Sequence, residues 1–309
     1  MRRCLVIGGS GFIGRHVTRL LHEQGREVIV LGRRANADRA LPSGCRYVSG
    51  DYADRATTRS LLQPGCDVID LAYSTVPKTS FEDPIFDLLS NLPASVGLMQ
   101  ECLAAGVRRV LLVSSGGTVY GPPESLPIAE DHPTLPVSPY GITKLTTDRY
   151  AMMFHRIAGL PVAVVRPSNA YGEDQRAGTG QGFIATAVEA IASGREITLY
   201  GAGGTIRDYI HVTDVASGIL AALQHGEDGG IYNIGTGIGT SNADILALLR
   251  PLAEAARKPI RTQVLPPRGF DVKANILDST RLQKNSGWRA ATPLAEGIER
   301  VWNSRLRLA

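Results

Sequence analysis

Short runs made mostly of Val, Ile and Leu recur along the first half of the chain, and most are followed by a stretch with helical amphipathicity. Residues 4–7, 28–31, 47–48, 68–71, 110–113 and 162–165 make up the series. A strand with one wet face alternates apolar and polar residues, whereas a strand covered by helices on both faces is apolar throughout. Strands of the second kind joined by helices predict an α/β fold, a doubly wound Rossmann-type parallel sheet. After residue 166 the pattern loosens. The sequence there predicts a loop over 172–182, a helix over Phe183–Ala192, a helix over 211–223, a strand over Ile231–Ile234 and a loop at 266–269. With 309 residues, two domains are expected: a Rossmann domain over 1–170 with returning segments near 210–236, and a smaller mixed α/β domain over 171–309.

Composition removes several function classes. Thirty-three Lys and Arg against 29 Asp and Glu leave a net charge of +4 with no basic tail, so nucleic acid is not an expected partner. The apolar runs are far too short to span a bilayer, and the stretch behind Met1-Arg2-Arg3 ends at Gly8, which argues against a secretory leader. Cys4, Cys45, Cys66 and Cys102 have no metal-ligand or C-x-x-C spacing, which predicts reduced thiols, a cytoplasmic location and no metal site.

Gly8-Gly9-Ser10-Gly11-Phe12-Ile13-Gly14 sits between the first strand and the first helix. Gly8, Gly11 and Gly14 permit a tight turn and close backbone approach, and the helix start, with Phe12 and Ile13, offers N–H groups to a pyrophosphate. That context turns a weak motif into a dinucleotide site. The second strand ends in Gly32-Arg33-Arg34, with no carboxylate for the adenosine ribose. Two guanidiniums suit a 2′-phosphate and lean towards NADP; NAD is tolerated if Arg33 stacks on the adenine. Asp51, after the third strand, either accepts from the adenine amino group or caps its own loop.

Ser138-Pro139-Tyr140-Gly141-Ile142-Thr143-Lys144 opens a helix, with Ser138 as N-cap and Pro139 at the first helical position. Tyr140 and Lys144 lie one turn apart on one face. A neighbouring ammonium is expected to lower the phenol from its ordinary value of about 10. The pair then moves a proton on or off a hydroxyl while a nicotinamide takes or returns hydride.

With these motifs assembled, the chain resembles an extended short-chain dehydrogenase/reductase of the NAD-dependent epimerase/dehydratase family, which acts on nucleotide sugars. GGSGFIG at 8–14, SSGGTVYG at 114–121, SPYGITK at 138–144, RPSNAYG at 166–172, RDYIHVTDVA at 207–216 and YNIGTG at 232–237 follow the family's order. The resemblance implies Tyr140 as general base and acid and Lys144 on the nicotinamide ribose. It places Asn169 and Arg207 on the substrate phosphates, and Arg268 and Asp271 near the nucleotide. Tyr52, Leu71, Ala72, Ser114 and Pro167 are further cofactor candidates along the strand ends. His211 reads as a packed core histidine, and Arg207 with Asp208 has the alternative reading of a structural ion pair. Relatives carry a hydroxyl residue two before the Thr of T-V-Y-G, where this chain has Gly116. The role passes to Thr118 first or Ser115 second, or to a water.

Relatives that dehydrate sugars carry Asp-Glu where this chain has Gly117-Thr118, so elimination lacks its acid and base. What remains is hydride and proton transfer at one carbon. A 4-epimerase of a UDP-hexose, working through a 4-keto intermediate with bound NAD, is the first expectation. An NADPH-dependent 4-ketoreductase of a dTDP-, UDP- or GDP-4-keto-deoxyhexose is the second, and a non-catalytic NAD(P)-binding sensor or scaffold a distant third. Pairing of the helix from Tyr140 with another over 96–105 across a two-fold axis, as the resemblance implies, makes a homodimer the expected assembly.

Overall fold

The computed structural model describes residues 2–37, 40–178, 182–266 and 272–306. Seven parallel strands form the main sheet: β1 (Arg3–Ile7), β2 (Glu27–Gly32), β3 (Arg46–Ser49), β4 (Asp67–Asp70), β5 (Arg109–Val113), β6 (Val162–Pro167) and β10 (Ile231–Ile234). Their spatial order is β10-β6-β5-β4-β1-β2-β3. The chain runs outward from β1 to β3, then crosses back to β4 on the other side of β1. The switch point at the carboxyl ends of β1 and β4 is where such sheets bind ligands.

The largely apolar runs are explained by what covers them. Cys4, Val6, Val28, Val30, Leu111, Ala163 and Val165 face α1 (Gly14–Glu23), α7 (Val212–His225) and α9 (Thr280–Ser286). Their neighbours Leu5, Ile7, Ile29, Leu31, Val110, Leu112, Val162 and Val164 face α2 (Arg55–Leu61), α4 (Pro84–Ala105) and α5 (Pro139–Ala158). Successive side chains point to opposite faces, so each strand feeds two cores at once.

Two smaller sheets complete the fold. One joins β7 (Asn169–Tyr171), β9 (Ile206–His211), β11 (Gly239–Ser241) and β13 (Ala274–Asn275); the other pairs β8 (Ile197–Tyr200) with β12 (Thr262–Leu265). A third core gathers Ile184, Val188, Leu199, Ile245, Leu249, Ile298 and Trp302 from β8, α6 (Phe183–Ala192), α8 (Asn242–Ala255) and α10 (Leu294–Leu306). The short α3 (Pro77–Glu82) follows β4. Among the described residues, no helix is long and apolar enough to cross a membrane. All four cysteines are free thiols.

Candidate active site

The glycine turn after β1 is built by contact. Gly8 has φ +75°, and a Cβ on it would stand 3.2 Å from the Ala72 nitrogen, so this turn presses on the one after β4. A Cβ on Gly14 would collide with the Gly8 carbonyl oxygen, and Gly11 N–H donates to that same oxygen at 3.0 Å. No side chain caps α1, and its Arg15 N–H donates back to the Gly11 carbonyl of this turn at 3.1 Å. Such a cradle fits a pyrophosphate. Arg15, in the first turn of α1, donates to the Glu173 carbonyl at 2.7 Å and pairs with Asp174 at 2.7 Å, which ties the glycine turn to the segment after β7.

The other cofactor candidates fall along the carboxyl ends of the same strands. Leu71 N–H donates to Ile7 and Ser114 N–H to Val165, while Pro167 ends β6. Tyr52 is buried and Asp51 exposed, with one Asp51 oxygen accepting from Ala53 N–H at 2.9 Å, a loop cap. Arg33 is turned across the sheet edge onto the Ser74 hydroxyl at 3.3 Å; the Arg34 carbonyl accepts from the Tyr47 hydroxyl at 2.8 Å.

The catalytic candidates line a cavity of about 1090 Å³ between the main sheet and the smaller elements. Ser138 caps α5 by accepting from Gly141 N–H at 3.1 Å, with Pro139 next in the first turn. A Cβ on Gly141 would lie 2.7 Å from the Thr118 carbonyl oxygen, so a glycine here lets the helix start sit against residues 115–118. Tyr140 is thereby set facing the segment after β5. Lys144 is buried, donates to the Val113 carbonyl at 2.9 Å and lies 4.0 Å above the Tyr73 ring; that ring meets Tyr140 edge-on at 4.8 Å.

One electrostatic expectation is corrected. Burial pushes the Tyr140 phenol above its ordinary value, the Asp87 carboxylate pushes it the same way, and a hydrogen bond with Ser115 pulls against them. Lys144 is not among the groups that move it. Burial acts on the lysine as well, taking it down to about 8. For each group, removal from water is the largest cause of its shift.

The glycine at the expected hydroxyl position also has a structural cause. Gly116 donates to the Pro167 carbonyl at 2.9 Å and accepts from Asn275 Nδ2 at 3.1 Å. A Cβ there would collide with Leu277 Cδ1 and stand 2.9 Å from the Arg166 carbonyl oxygen, away from the cavity. Ser115, Gly117 and Thr118 line the cavity instead. Thr118 Oγ1 and Asn169 Oδ1 are buried there with no hydrogen-bond partner among the described residues, as groups reserved for a polar ligand are.

Arg207 reaches the same cavity. Asp208 does not join it: its carboxylate accepts from Thr236 Oγ1 and from the N–H groups of Thr236, Gly237 and Leu277, and so holds the turn after β10. His211 caps α7 and lies 3.0 Å from Glu173, a packed residue. Arg268 and Asp271 lie outside the described residues. Pro77, Lys78 and Phe81 of α3 form a cavity wall that the sequence reading missed, since a six-residue helix has too few turns to show a period.

With the turn, the tyrosine–lysine pair and the cavity in place, comparison with known proteins is decisive. The chain matches the NAD dependent epimerase/dehydratase family over residues 4–235. It belongs to that family. It is 35% identical to the UDP-glucose 4-epimerase of Mycolicibacterium smegmatis over 97% of both chains. Its structure is similar to the UDP-glucose 4-epimerase of Thermotoga maritima solved with UDP-glucose (TM-score 0.91, 32% identity, 99% of this chain and 100% of that one). It is also similar to the UDP-glucose 4-epimerase of Thermus thermophilus in complex with NAD (TM-score 0.89, 34% identity, 99% of both).

Proposed function

We propose that this family member is a UDP-hexose 4-epimerase with NAD as its cofactor. The observation that carries the reading is the segment facing Tyr140: Ser115, Gly117 and Thr118 bring two hydroxyls and no carboxylate, which suits proton movement at one hydroxyl and not elimination of water. The glycine cradle would hold the pyrophosphate and Lys144 the nicotinamide ribose, and NAD supplies the hydride acceptor and donor. Tyr140 takes the proton of the sugar 4-hydroxyl and later returns it to the 4-keto carbon's oxygen. Ser115, which lines the cavity with Tyr140, shares that proton, and Thr118 orients the sugar. Asn169 and Arg207 hold the diphosphate, a bidentate task suited to a guanidinium. In this reading residues 1–170, with the segments near 210–236, serve the dinucleotide, and 171–309 mainly the nucleotide sugar.

Arg33 engages Ser74, a contact that agrees with NAD. A cytoplasmic homodimer completes the proposal. On α4 and α5, Ile85, Phe86, Leu89, Met153 and Ile157 are exposed, and a second copy would cover them.

The test is to incubate the purified protein with UDP-glucose or UDP-galactose and follow each by chromatography. Interconversion in both directions without added reductant is expected. No interconversion, with NADPH consumed by a 4-keto sugar nucleotide, would replace the reading by a ketoreductase.

A further inference from the structure

A very small cavity of about 10 Å³ lies at Lys144, walled by Asp70, Leu112, Thr147 and Asp148 among others. Three buried carboxylates act on the Lys144 ammonium: Asp70 of β4, Asp148 of α5 and Asp87 of α4. Two of them have other partners. Asp148 pairs with Arg166, whose Nε and NH2 each lie 3.0 Å from it. Asp87 accepts from the hydroxyls of Thr75 and Thr143, the latter at 2.6 Å. Asp70 is 5% exposed and accepts from Ala72 N–H at 3.0 Å. Lys144 is the cation that stabilises its charged form. A carboxylate taken out of water needs such a partner.

We propose that Asp70 is a positioning residue of the active site: its carboxylate, at the end of β4, is the counter-charge that keeps Lys144 protonated and seated between the Tyr73 ring and the Val113 carbonyl. Burial raises the Asp70 carboxyl to about 6 and lowers Lys144 to about 8. Both are therefore charged between those values. Below the window Asp70 is neutral and the lysine loses its counter-charge; above it the lysine itself is neutral. Tyr52 and Cys102 also face Asp70, and burial raises both, so they stay uncharged through the window. Asp148 keeps Arg166, and burial likewise raises Tyr73 and Tyr140.

The chain has five lysines, so selective carbon-13 labelling of lysine gives a spectrum simple enough to follow, with Lys144→Arg assigning the resonance. In the wild-type protein the Lys144 signal is expected to titrate near pH 8, with a second inflection near pH 6 from Asp70. In Asp70→Asn the inflection disappears and the main titration falls by about one unit or more. The activity arm rests on the proposed reaction: kcat at pH 7 falls about tenfold with KM within about twofold, and the acid limb near pH 6 is lost. An unchanged Lys144 titration in Asp70→Asn, or a wild-type signal without the inflection, overturns the proposal. If Asp70→Asn does not fold, the wild-type inflection decides alone. Should the wild-type protein fail to interconvert UDP-sugars, the proposed reaction falls while the lysine spectrum still decides this assignment.

Discussion

A methyl group at Gly116 would press on Leu277 and on the carbonyl end of β6, so Gly116→Ala is expected to destabilise the protein by about 1–3 kcal/mol. Gly116→Ser should do the same and raise no activity, because the new hydroxyl would not face the cavity. Denaturant unfolding and the epimerase assay together check both. Around Tyr140 the outcome is graded. Tyr140→Phe should lower kcat by about 10²–10⁴-fold with the fold intact, and Ser115→Ala should cost more in kcat than Thr118→Ala. The reverse order for the two hydroxyls would return the shared proton to Thr118. Asp70 carries a pH-dependent cost. Its carboxyl titrates near 6 in the folded chain and near the ordinary 3.8 when unfolded, so the native state binds the extra proton. Stability is therefore greatest below about pH 4 as far as this group is concerned, and falls by an amount on the order of 2 kcal/mol as pH rises to about 6. Urea unfolding across that range should show a steeper slope in the wild type than in Asp70→Asn, the difference being the share of Asp70 beside those of Glu130, Asp148 and Asp208, which burial also raises.

Helix α5 begins where the chemistry is, and its start depends on one cap. Ser138→Ala removes the acceptor for Gly141 N–H and is expected to cost about 1 kcal/mol, measured by unfolding. Because Tyr140 is two residues on, kcat should fall in the same variant while KM stays nearly constant. The cap, the proline and the Tyr-x-x-x-Lys spacing were all readable in sequence, since each is a signal within seven residues. The strand at 110–113 was equally plain, but the side of it that presents a hydroxyl was not. Ser115, not Gly116, faces the cavity because Gly116 is held by Pro167 and Asn275, which are remote in the chain. Asp148 did leave a trace, lying four residues after Lys144 on the same helical face, where a shared environment follows from the period.

Across the whole molecule, α4 and α5 cover one face of the sheet while keeping large apolar side chains on their outer surfaces. Ile157 is 81% exposed and Ile85 65%, values that a lone monomer would hold in water at a hydrophobic cost. Sedimentation velocity should give a dimer, and pairing Ile157→Arg with Leu89→Arg should give a folded monomer. A monomeric wild type would remove the second copy from the proposal.

The doubly wound sheet, the dinucleotide turn and the tyrosine–lysine helix were all legible before any coordinate, because each rests on a short-range pattern: apolar runs that need two covers, glycines at a strand–helix turn, a spacing of one helical turn. Family-level motifs added the reaction class. The state of those residues was not legible. Whether Tyr140 is shifted up or down, which neighbouring hydroxyl reaches it, and which of three carboxylates answers Lys144 depend on burial and on contacts between β4, β5, β6 and α5. These elements are separated along the chain, and only packing brings Asp70, Val113, Lys144 and Arg166 into one dry space. There, loss of water outweighs the pair interactions that a linear reading counts.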